Sequence, residues 1–160
     1  KKCVDMGCGS GIQTAALIQS EAKEVMCVDV NSHALSATKK MVEKRFPTKK
    51  EKVKYIESNL FEKVNETFDV IVFNPPYVPS ETIKWIEVDG GKKGREIIDA
   101  FLEQMSAHLN PNGIIFLLQS SLNGLKLTQK KLRKKGFSSR VVAREKLDFE
   151  ELYVLRIALQ

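Results

Sequence analysis

The chain has 160 residues, 42% of them hydrophobic and 29% charged, values close to the averages for soluble globular domains. This length suits a single domain over residues 1–160 whose core needs neither disulfides nor a metal ion, and no apolar run approaches the roughly 20 residues that span a bilayer. A membrane-spanning protein is disfavoured, and the net charge of +6 favours an acidic or nucleic-acid-linked partner.

The start of the chain carries neither an apolar signal core nor the composition of a transit peptide, so we expect a cytoplasmic protein, with a nuclear pool left open. Its three cysteines, Cys3, Cys8 and Cys27, are an odd number without metal-ligand spacing. We predict that they are small buried hydrophobic residues of a reducing compartment and that the chain has no metal site.

Strand-like and helix-like segments alternate along the first half of the chain. Residues 2–6, 24–30 and 53–57 have the pattern of short buried strands, and residues 11–22 have helical spacing. A second helix is expected over residues 31–46, with an Asn at its N-cap and a Pro just after its end.

The alternation continues to the C-terminus. Residues 68–73 are nearly all apolar, which is typical of a central parallel strand covered on both faces. The remaining predicted elements are a helix over 94–109 that ends at Asn110-Pro111-Asn112-Gly113, a strand over 114–119, a helix over 122–135 closed by Gly136, and an antiparallel hairpin over 138–144 and 152–158. Together they predict an α/β fold: a doubly wound, seven-stranded, mostly parallel sheet with a C-terminal antiparallel hairpin and its site at the carboxyl ends of the strands.

A glycine-rich segment, Asp5-Met6-Gly7-Cys8-Gly9-Ser10-Gly11, lies at the junction of the first strand and the first helix. Glycines there permit a tight turn and a close approach of the backbone to a ligand. The spacing is G-x-G-x-G, whereas a dinucleotide fingerprint reads G-x-G-x-x-G. A nicotinamide enzyme is therefore disfavoured, although a purely structural glycine turn stays open at this point.

Asp29 ends the second strand about 20 residues after the loop, where a carboxylate can accept hydrogen bonds from both hydroxyls of a ribose. The loop and Asp29 together resemble the pattern of class I methyltransferases, which have a Rossmann-like fold. The resemblance implies S-adenosylmethionine as cofactor, with its methionine part bordered by Asp5, Gly7, Gly9 and Gly11 and its ribose held by Asp29. Residues 58–61 resemble the adenine-recognition position, which implies contacts from Asn59 and Leu60, with Asn59 standing where these enzymes often have Asp.

Asn74-Pro75-Pro76-Tyr77 follows the buried fourth strand and is the most specific feature of the sequence. The two prolines fix the backbone and lack N–H groups, so the carbonyls before them and the Asn74 side chain are acceptors. Acceptors that hold both N–H bonds of a planar amide or amine favour the geometry in which its lone pair attacks a methyl group. Tyr77 offers a flat face for stacking. We predict these four residues as the catalytic loop, with Asn74 also at the cofactor; an ordinary strand-ending turn is the alternative.

The N-P-P-Y motif resembles two groups of enzymes: methyltransferases of the exocyclic amine of adenine or guanine, and HemK-like enzymes that methylate a glutamine side chain of release factors. The segment Gly90-Gly91-Lys92-Lys93-Gly94-Arg95-Glu96 resembles the G-G-x-x-G-R-E signature of the HemK-like branch, and the similarity is closest to its short eukaryotic and archaeal members. This resemblance implies methylation of the glutamine in the Gly-Gly-Gln motif of a class I translation termination factor, in the cytoplasm. The nucleic-acid enzyme is the alternative, and a silent binding module is disfavoured by the retained motif.

The short members of this branch are obligate partners of a small zinc-binding activator protein, so the resemblance implies a heterodimer. From the residues alone, Val53, Tyr55 and Ile56 would lie in an edge strand open to strand addition, whereas Lys52 and Lys54 fit an ordinary charged edge. Two basic clusters, in the second helix with its following loop and in the last helix, are either solvated faces or surfaces for an acidic partner or nucleic acid.

Overall fold

The computed structural model describes residues 1–76 and 94–160. The chain divides into two compact units. The first unit comprises Lys1–Phe73 and His108–Gly113, and the second comprises Asn74–Ala107 and Ile114–Gln160. The single domain predicted for residues 1–160 stays a prediction.

The first unit is a parallel sheet of four strands, in the order β3-β2-β1-β4, with two helices. Its elements are β1 (Lys2–Met6), α1 (Ile12–Gln19), β2 (Glu24–Asp29), α2 (Ser32–Arg45), β3 (Val53–Glu57) and β4 (Phe68–Phe73). Met6, the last residue of β1, pairs with Val28 on one side and with Phe73 on the other. The carboxyl ends of these strands therefore meet at one edge of the sheet.

Apolar strands account for this sheet, since both of its faces are covered in the way expected for parallel strands. Val4, Met26 and Ile71 on one face have no exposed surface, and Val25 and Cys27 on the other face are at most 1% exposed. The three cysteines are free and buried, as the sequence predicted. The N-cap of α2 is also confirmed, because the Asn31 side chain accepts a hydrogen bond from the backbone N–H of His33 at 2.9 Å.

The second unit contains an antiparallel arrangement of three strands in the order β5-β7-β6. Its described elements are α3 (Glu96–Gln104), β5 (Leu109–Ser120, which begins among residues of the first unit), α4 (Leu125–Lys134), β6 (Phe137–Lys146) and β7 (Glu151–Leu159). Leu117 pairs with Leu155 and Ile115 pairs with Ile157, and all four side chains are fully buried. The predicted hairpin is confirmed, with a β-bulge between Val141 and Ala143.

Two predictions between α3 and α4 are wrong. The turn expected at residues 110–113 is extended and belongs to β5, because Asn110 donates from Nδ2 to Oδ1 of Asp69 at 2.7 Å and is thereby held beside the start of β4. The helix expected from residue 122 begins at Leu125 instead. A 3-10 turn, Ser121–Asn123, precedes it, because the Ser120 side chain accepts from the N–H of Leu122 and caps that turn.

None of the helices in the described residues is both long and apolar enough to cross a bilayer.

Candidate functional site

The glycine-rich loop begins where β1 ends. Gly7, Gly9 and Gly11 have φ angles of 65°, 52° and 84°, a left-handed region that residues with a side chain rarely adopt. A Cβ atom on Gly11 would lie 2.5 Å from Cε of Met41, so this glycine permits close packing against α2. Among the described residues, a Cβ atom on Gly9 would meet only the Gly7 carbonyl oxygen, at 4.0 Å. The loop is therefore packed on one side, whereas Gly9 faces open space.

Four N–H groups of this loop donate hydrogen bonds within the protein. Gly7 and Cys8 donate to the Val28 carbonyl at 2.7 and 3.1 Å, and Gly11 donates to the Cys8 carbonyl at 2.8 Å. Gly9 donates to Oδ2 of Asp29 at 3.0 Å. A phosphate-binding loop presents its N–H groups to the ligand instead. The geometry thus agrees with the spacing argument against a dinucleotide.

Asp29 lies at the carboxyl end of β2 and joins the loop to the start of α2. Its Oδ2 accepts from the Gly9 N–H, and its Oδ1 accepts from the Asn31 N–H at 2.9 Å. The side chain is half-buried. A carboxylate has about four lone-pair sites, so two remain for the hydroxyls of a ligand. Asp29 is therefore a positioned acceptor at the mouth of the loop.

Asp5 lies beneath the loop and is fully buried. Its Oδ2 accepts from the Thr14 hydroxyl at 2.6 Å, and that hydroxyl lies 3.2 Å from Sγ of Cys27. Oδ1 has no hydrogen-bond partner among the described residues. Burial raises the pKa of the Asp5 carboxyl to about 7, although the hydrogen bonds from Thr14 act in the opposite direction. The group can therefore hold or release a proton near neutral pH.

The segment after β3 lies against the end of β2, since the Ser58 N–H donates to the Asp29 carbonyl at 3.0 Å. Leu60 is buried and has a φ of 50°, an unusual value for a residue with a branched side chain. Such strain is concentrated at functional sites. Asn59 is exposed, and its Nδ2 donates to Oε1 of Glu62 at 2.8 Å, so this bond uses the donor side of its amide.

The substrate motif falls in the second unit. Asn74 is exposed, Pro75 is buried and Pro76 is half-buried. Asn74 directly follows Phe73, which pairs with Met6 just before the glycine-rich loop. Tyr77, like residues 90–93 of the HemK-like signature, lies outside the described residues. The assignment of all these site residues, on both units, stays a prediction.

Sequence reasoning missed a buried cluster around Arg95, the arginine of the G-R-E signature. Arg95 is 7% exposed, and its Nη1 donates to the Asn123 carbonyl and, at 3.0 Å, to the Thr128 hydroxyl. Its Nη2 contacts Oδ1 of Asp99 at 2.7 Å. Asn123 in turn donates from Nδ2 to the Gly94 carbonyl at 3.0 Å. Apart from Asp99, no local pattern predicts these partners, because Asn123 and Thr128 lie 28 and 33 residues from Arg95.

Two threonines that support the loop were also missed. Thr14 binds Asp5 from α1, and Thr38 of α2 donates to the Gly9 carbonyl at 2.9 Å. Both hydroxyls are buried. Their only signal in the sequence is a polar residue on the buried face of a helix, which by itself does not indicate a partner.

The arrangement matches solved methyltransferases. A structure of the E. cuniculi Mtq2–Trm112 complex, described as responsible for methylation of the eRF1 translation termination factor, superposes with a TM-score of 0.79 and 28% identity, and the match covers 100% of this chain and 85% of that one. The fold is the seven-stranded, mostly parallel sheet with antiparallel C-terminal strands of the class I methyltransferases, as predicted.

Sequence comparison identifies the family within the class I methyltransferases. Residues 1–152 match the methyltransferase small domain, and the chain belongs to that family. A candidate protein N5-glutamine methyltransferase of Methanocaldococcus jannaschii is 38% identical over 97% of this chain and 80% of its own length. Human methyltransferase HEMK2 is 26% identical over 96% of this chain and 76% of its own length. The predicted membership of the HemK-like branch is confirmed.

Proposed function

We propose that this protein transfers a methyl group from S-adenosylmethionine to the side-chain amide nitrogen of the glutamine in the Gly-Gly-Gln motif of a class I translation termination factor. The observation that carries the proposal is that two paired strand ends are each followed in the chain by a motif. Met6 and Phe73 pair at the ends of β1 and β4, and each is followed directly by a motif, the glycine-rich loop in one case and Asn74-Pro75-Pro76 in the other.

The residues of the first unit fit the proposed cofactor. Open space at Gly9, the positioned carboxylate of Asp29 and the strained Leu60 are features expected of a nucleoside site rather than of a simple turn. S-adenosylmethionine, when bound, supplies an electrophilic methyl group on a sulfonium. Asp29 would accept the ribose hydroxyls, Asn59 and Leu60 would border the adenine, and Asp5, Gly7, Gly9 and Gly11 would border the methionine part.

Asn74, Pro75, Pro76 and Tyr77 would hold the substrate amide. The nitrogen of an amide is a poor nucleophile because its lone pair is delocalised into the carbonyl group. Acceptors from the Asn74 side chain and from the carbonyls before the prolines would bind its two N–H bonds, and this orients the lone pair and stabilises the positive charge that develops on nitrogen. Such a loop acts by positioning, so no covalent enzyme intermediate is needed.

The same proposal includes a heterodimer with a small zinc-binding activator protein, in the cytoplasm where termination factors act. Its support is the Mtq2–Trm112 complex and the place of β3, which pairs only with β2 among the described strands. Lys54, exposed on β3, is engaged with Glu24 at 2.7 Å. The backbone of this edge strand offers the hydrogen-bonding groups that an added strand requires.

A second candidate function, methylation of an exocyclic amine of adenine or guanine, is favoured by one feature. The helix α4 exposes four cations, and its sequence contains no acidic residue. These are Lys126, Lys130, Arg133 and Lys134. Such a stripe suits phosphate contacts, which would make binding strongly salt-dependent.

Transfer of radiolabelled methyl from S-adenosylmethionine separates these functions. The acceptors are a class I termination factor, its Gly-Gly-Ala variant, DNA and RNA, each with and without the zinc-binding activator. We expect label on the Gly-Gly-Gln form alone and dependence on the activator. Label on nucleic acid with none on the termination factor would replace the proposal by the second candidate.

A further inference from the structure

The turn between β6 and β7 carries exposed apolar side chains. Phe149 is 95% exposed and Leu147 is 40% exposed, and Leu122 in the 3-10 turn after β5 is 53% exposed. A single exposed hydrophobic residue is ordinary on a protein surface, whereas neighbouring ones indicate an interaction site. These three residues are called the Phe149 surface below.

The Phe149 surface is held in place by hydrogen bonds. The Leu147 N–H donates to the Glu150 carbonyl at 2.8 Å, which closes the turn. The Ser120 hydroxyl donates to Oε2 of Glu150, and the Glu151 N–H donates to the Ser121 hydroxyl at 3.1 Å. The turn is therefore tied to the end of β5. An aromatic ring presented on a fixed backbone loses little conformational entropy on binding, as in preorganised interfaces.

The Phe149 surface lies at the carboxyl end of β5. Ser120, the last residue of β5, pairs with Leu152 of β7, so residues 147–150 lie beyond the carboxyl end of β5. Ligands of open α/β sheets bind outside the carboxyl ends of their strands. Asn74, Pro75 and Pro76 belong to the same compact unit as the turn. The Phe149 surface therefore lies at the end of β5 where a ligand is expected.

The charges around Phe149 indicate which kind of partner fits. Three acidic residues flank Phe149 in the sequence: Asp148, Glu150 and Glu151. Asp148 is exposed. The carboxylates of Glu150 and Glu151 accept hydrogen bonds from Ser120 and Tyr153 and are thereby occupied within the turn. Glu151 is also paired with Arg144, at 3.9 Å, so Asp148 and Glu150 are the acidic residues that would repel a phosphate backbone. An apolar pocket on a protein, with basic groups at its rim, complements this surface.

We propose that Phe149, with Leu147 and Leu122, docks the body of the protein substrate, away from the peptide that carries the target glutamine. This inference rests on the proposed function. In it, the Phe149 surface favours binding of the intact termination factor over a short peptide. Aromatic anchors dominate the affinity of protein interfaces, so the Phe149 ring should contribute most of this binding.

The test uses the full chain with its activator and compares the intact termination factor with a short Gly-Gly-Gln peptide. Phe149→Ser should raise KM for the intact factor by roughly tenfold or more, with kcat and the KM for the peptide unchanged. Phe149→Leu should keep the KM for the intact factor close to the wild-type value. Leu159→Ser is the matched control, because Leu159 is 47% exposed at the opposite end of β7. Calorimetric binding of the intact factor to the same variants is measured alongside.

Several outcomes would overturn the inference. They are an unchanged KM and Kd for the intact factor, an equal loss with the peptide, a weaker complex with the activator, or a change of oligomeric state that explains the loss. Absence of methylation of both acceptors would reject the proposed function instead. In that case a Phe149-dependent Kd for the factor would still support docking, and a Kd independent of Phe149 would reject it as well.

Discussion

Asn74 is the residue on which the proposed chemistry most depends. Asn74→Ala removes the side-chain acceptor for the substrate N–H, and we expect kcat to fall by about a hundredfold or more, as for the loss of one positioned polar group at other active sites. Binding of S-adenosylmethionine should stay within about threefold of the wild type, since Asn74 acts on the substrate nitrogen. Single-turnover transfer and isothermal titration measure the two quantities separately.

Asn112→Ala is the matched control for this prediction, because Asn112 is an exposed asparagine in the first part of β5. It should transfer methyl groups at the wild-type rate. Full activity of Asn74→Ala, or loss of cofactor binding in that variant, would contradict the assignment of Asn74.

The raised pKa of the Asp5 carboxyl predicts that the free energy of unfolding depends on pH. Its pKa is raised to about 7 by burial, so the folded protein keeps this proton over a range in which an unfolded aspartate has lost it. Because the folded state binds more protons between about pH 4 and pH 7, its stability falls as the pH rises through that window, by up to about 1.4 kcal/mol per pH unit. Asp5→Asn has no such proton to release.

The difference in unfolding free energy between Asp5→Asn and the wild type should therefore grow in favour of the variant from about pH 5 to about pH 7.5. Urea unfolding at several pH values measures it. Asp148→Asn, at an exposed position, should follow the wild-type profile. Parallel profiles for Asp5→Asn and the wild type would show that Asp5 is ionised throughout.

Among the structural elements, α3 and α4 are joined by the side chain of Arg95. Arg95→Ala would leave the Asn123 carbonyl without its guanidinium donor, and Lys131, at 3.0 Å, would be the remaining ion-pair partner of Asp99 among the described residues. Loss of one member of a buried charged cluster costs about 3 kcal/mol of unfolding free energy. Lys131→Ala removes the more exposed partner of the same carboxylate and should cost less than about 1 kcal/mol.

Chemical denaturation of both variants measures this contrast. Equal losses would mean that the buried hydrogen bonds of Arg95 contribute no more than an exposed ion pair. The comparison also tests whether the arginine of the G-R-E signature stabilises the fold of this chain. Its described hydrogen bonds all go to residues of the second unit.

For the whole molecule, the proposed cofactor predicts a shift in thermal stability. A ligand that binds only the folded state adds about 2.7 kcal/mol at a concentration of 100 Kd, which raises Tm by roughly 5–10 °C for a chain of this size. S-adenosylmethionine or its demethylated product should produce this shift in calorimetry, and a dinucleotide should not. In Asp29→Asn the amide would place an N–H group against the Gly9 or Asn31 donor.

We therefore expect Asp29→Asn to lose most of the shift, whereas Glu57→Gln, at the exposed end of β3, should keep it. A dinucleotide shift in the wild type, or a full S-adenosylmethionine shift in Asp29→Asn, would reject this reading of the glycine-rich loop.

Much of the architecture followed from local pattern. The runs that became β1, β3 and β4 were bounded correctly, because apolar residues in short stretches between glycine, proline and polar residues have few other ways to be buried. The Asn31 cap and the turn at Gly136, with a φ of 82°, were equally local. The G-x-G-x-G spacing and the N-P-P-Y motif likewise pointed to a methyltransferase before any contact was known.

Other features were decided only by tertiary structure, because they depend on groups far apart in the chain. The N-P-N-G segment looks like a turn, yet the bond between Asn110 and Asp69 spans 41 residues and extends it. The bond from Gly9 to Asp29 spans 20 residues and turns an acidic strand end into a positioned acceptor. The sequence by itself determined the short apolar strands and the motifs that follow them. Long-range hydrogen bonds and packing decided how those motifs are held, because these interactions stabilise the chain only once the sheet has formed.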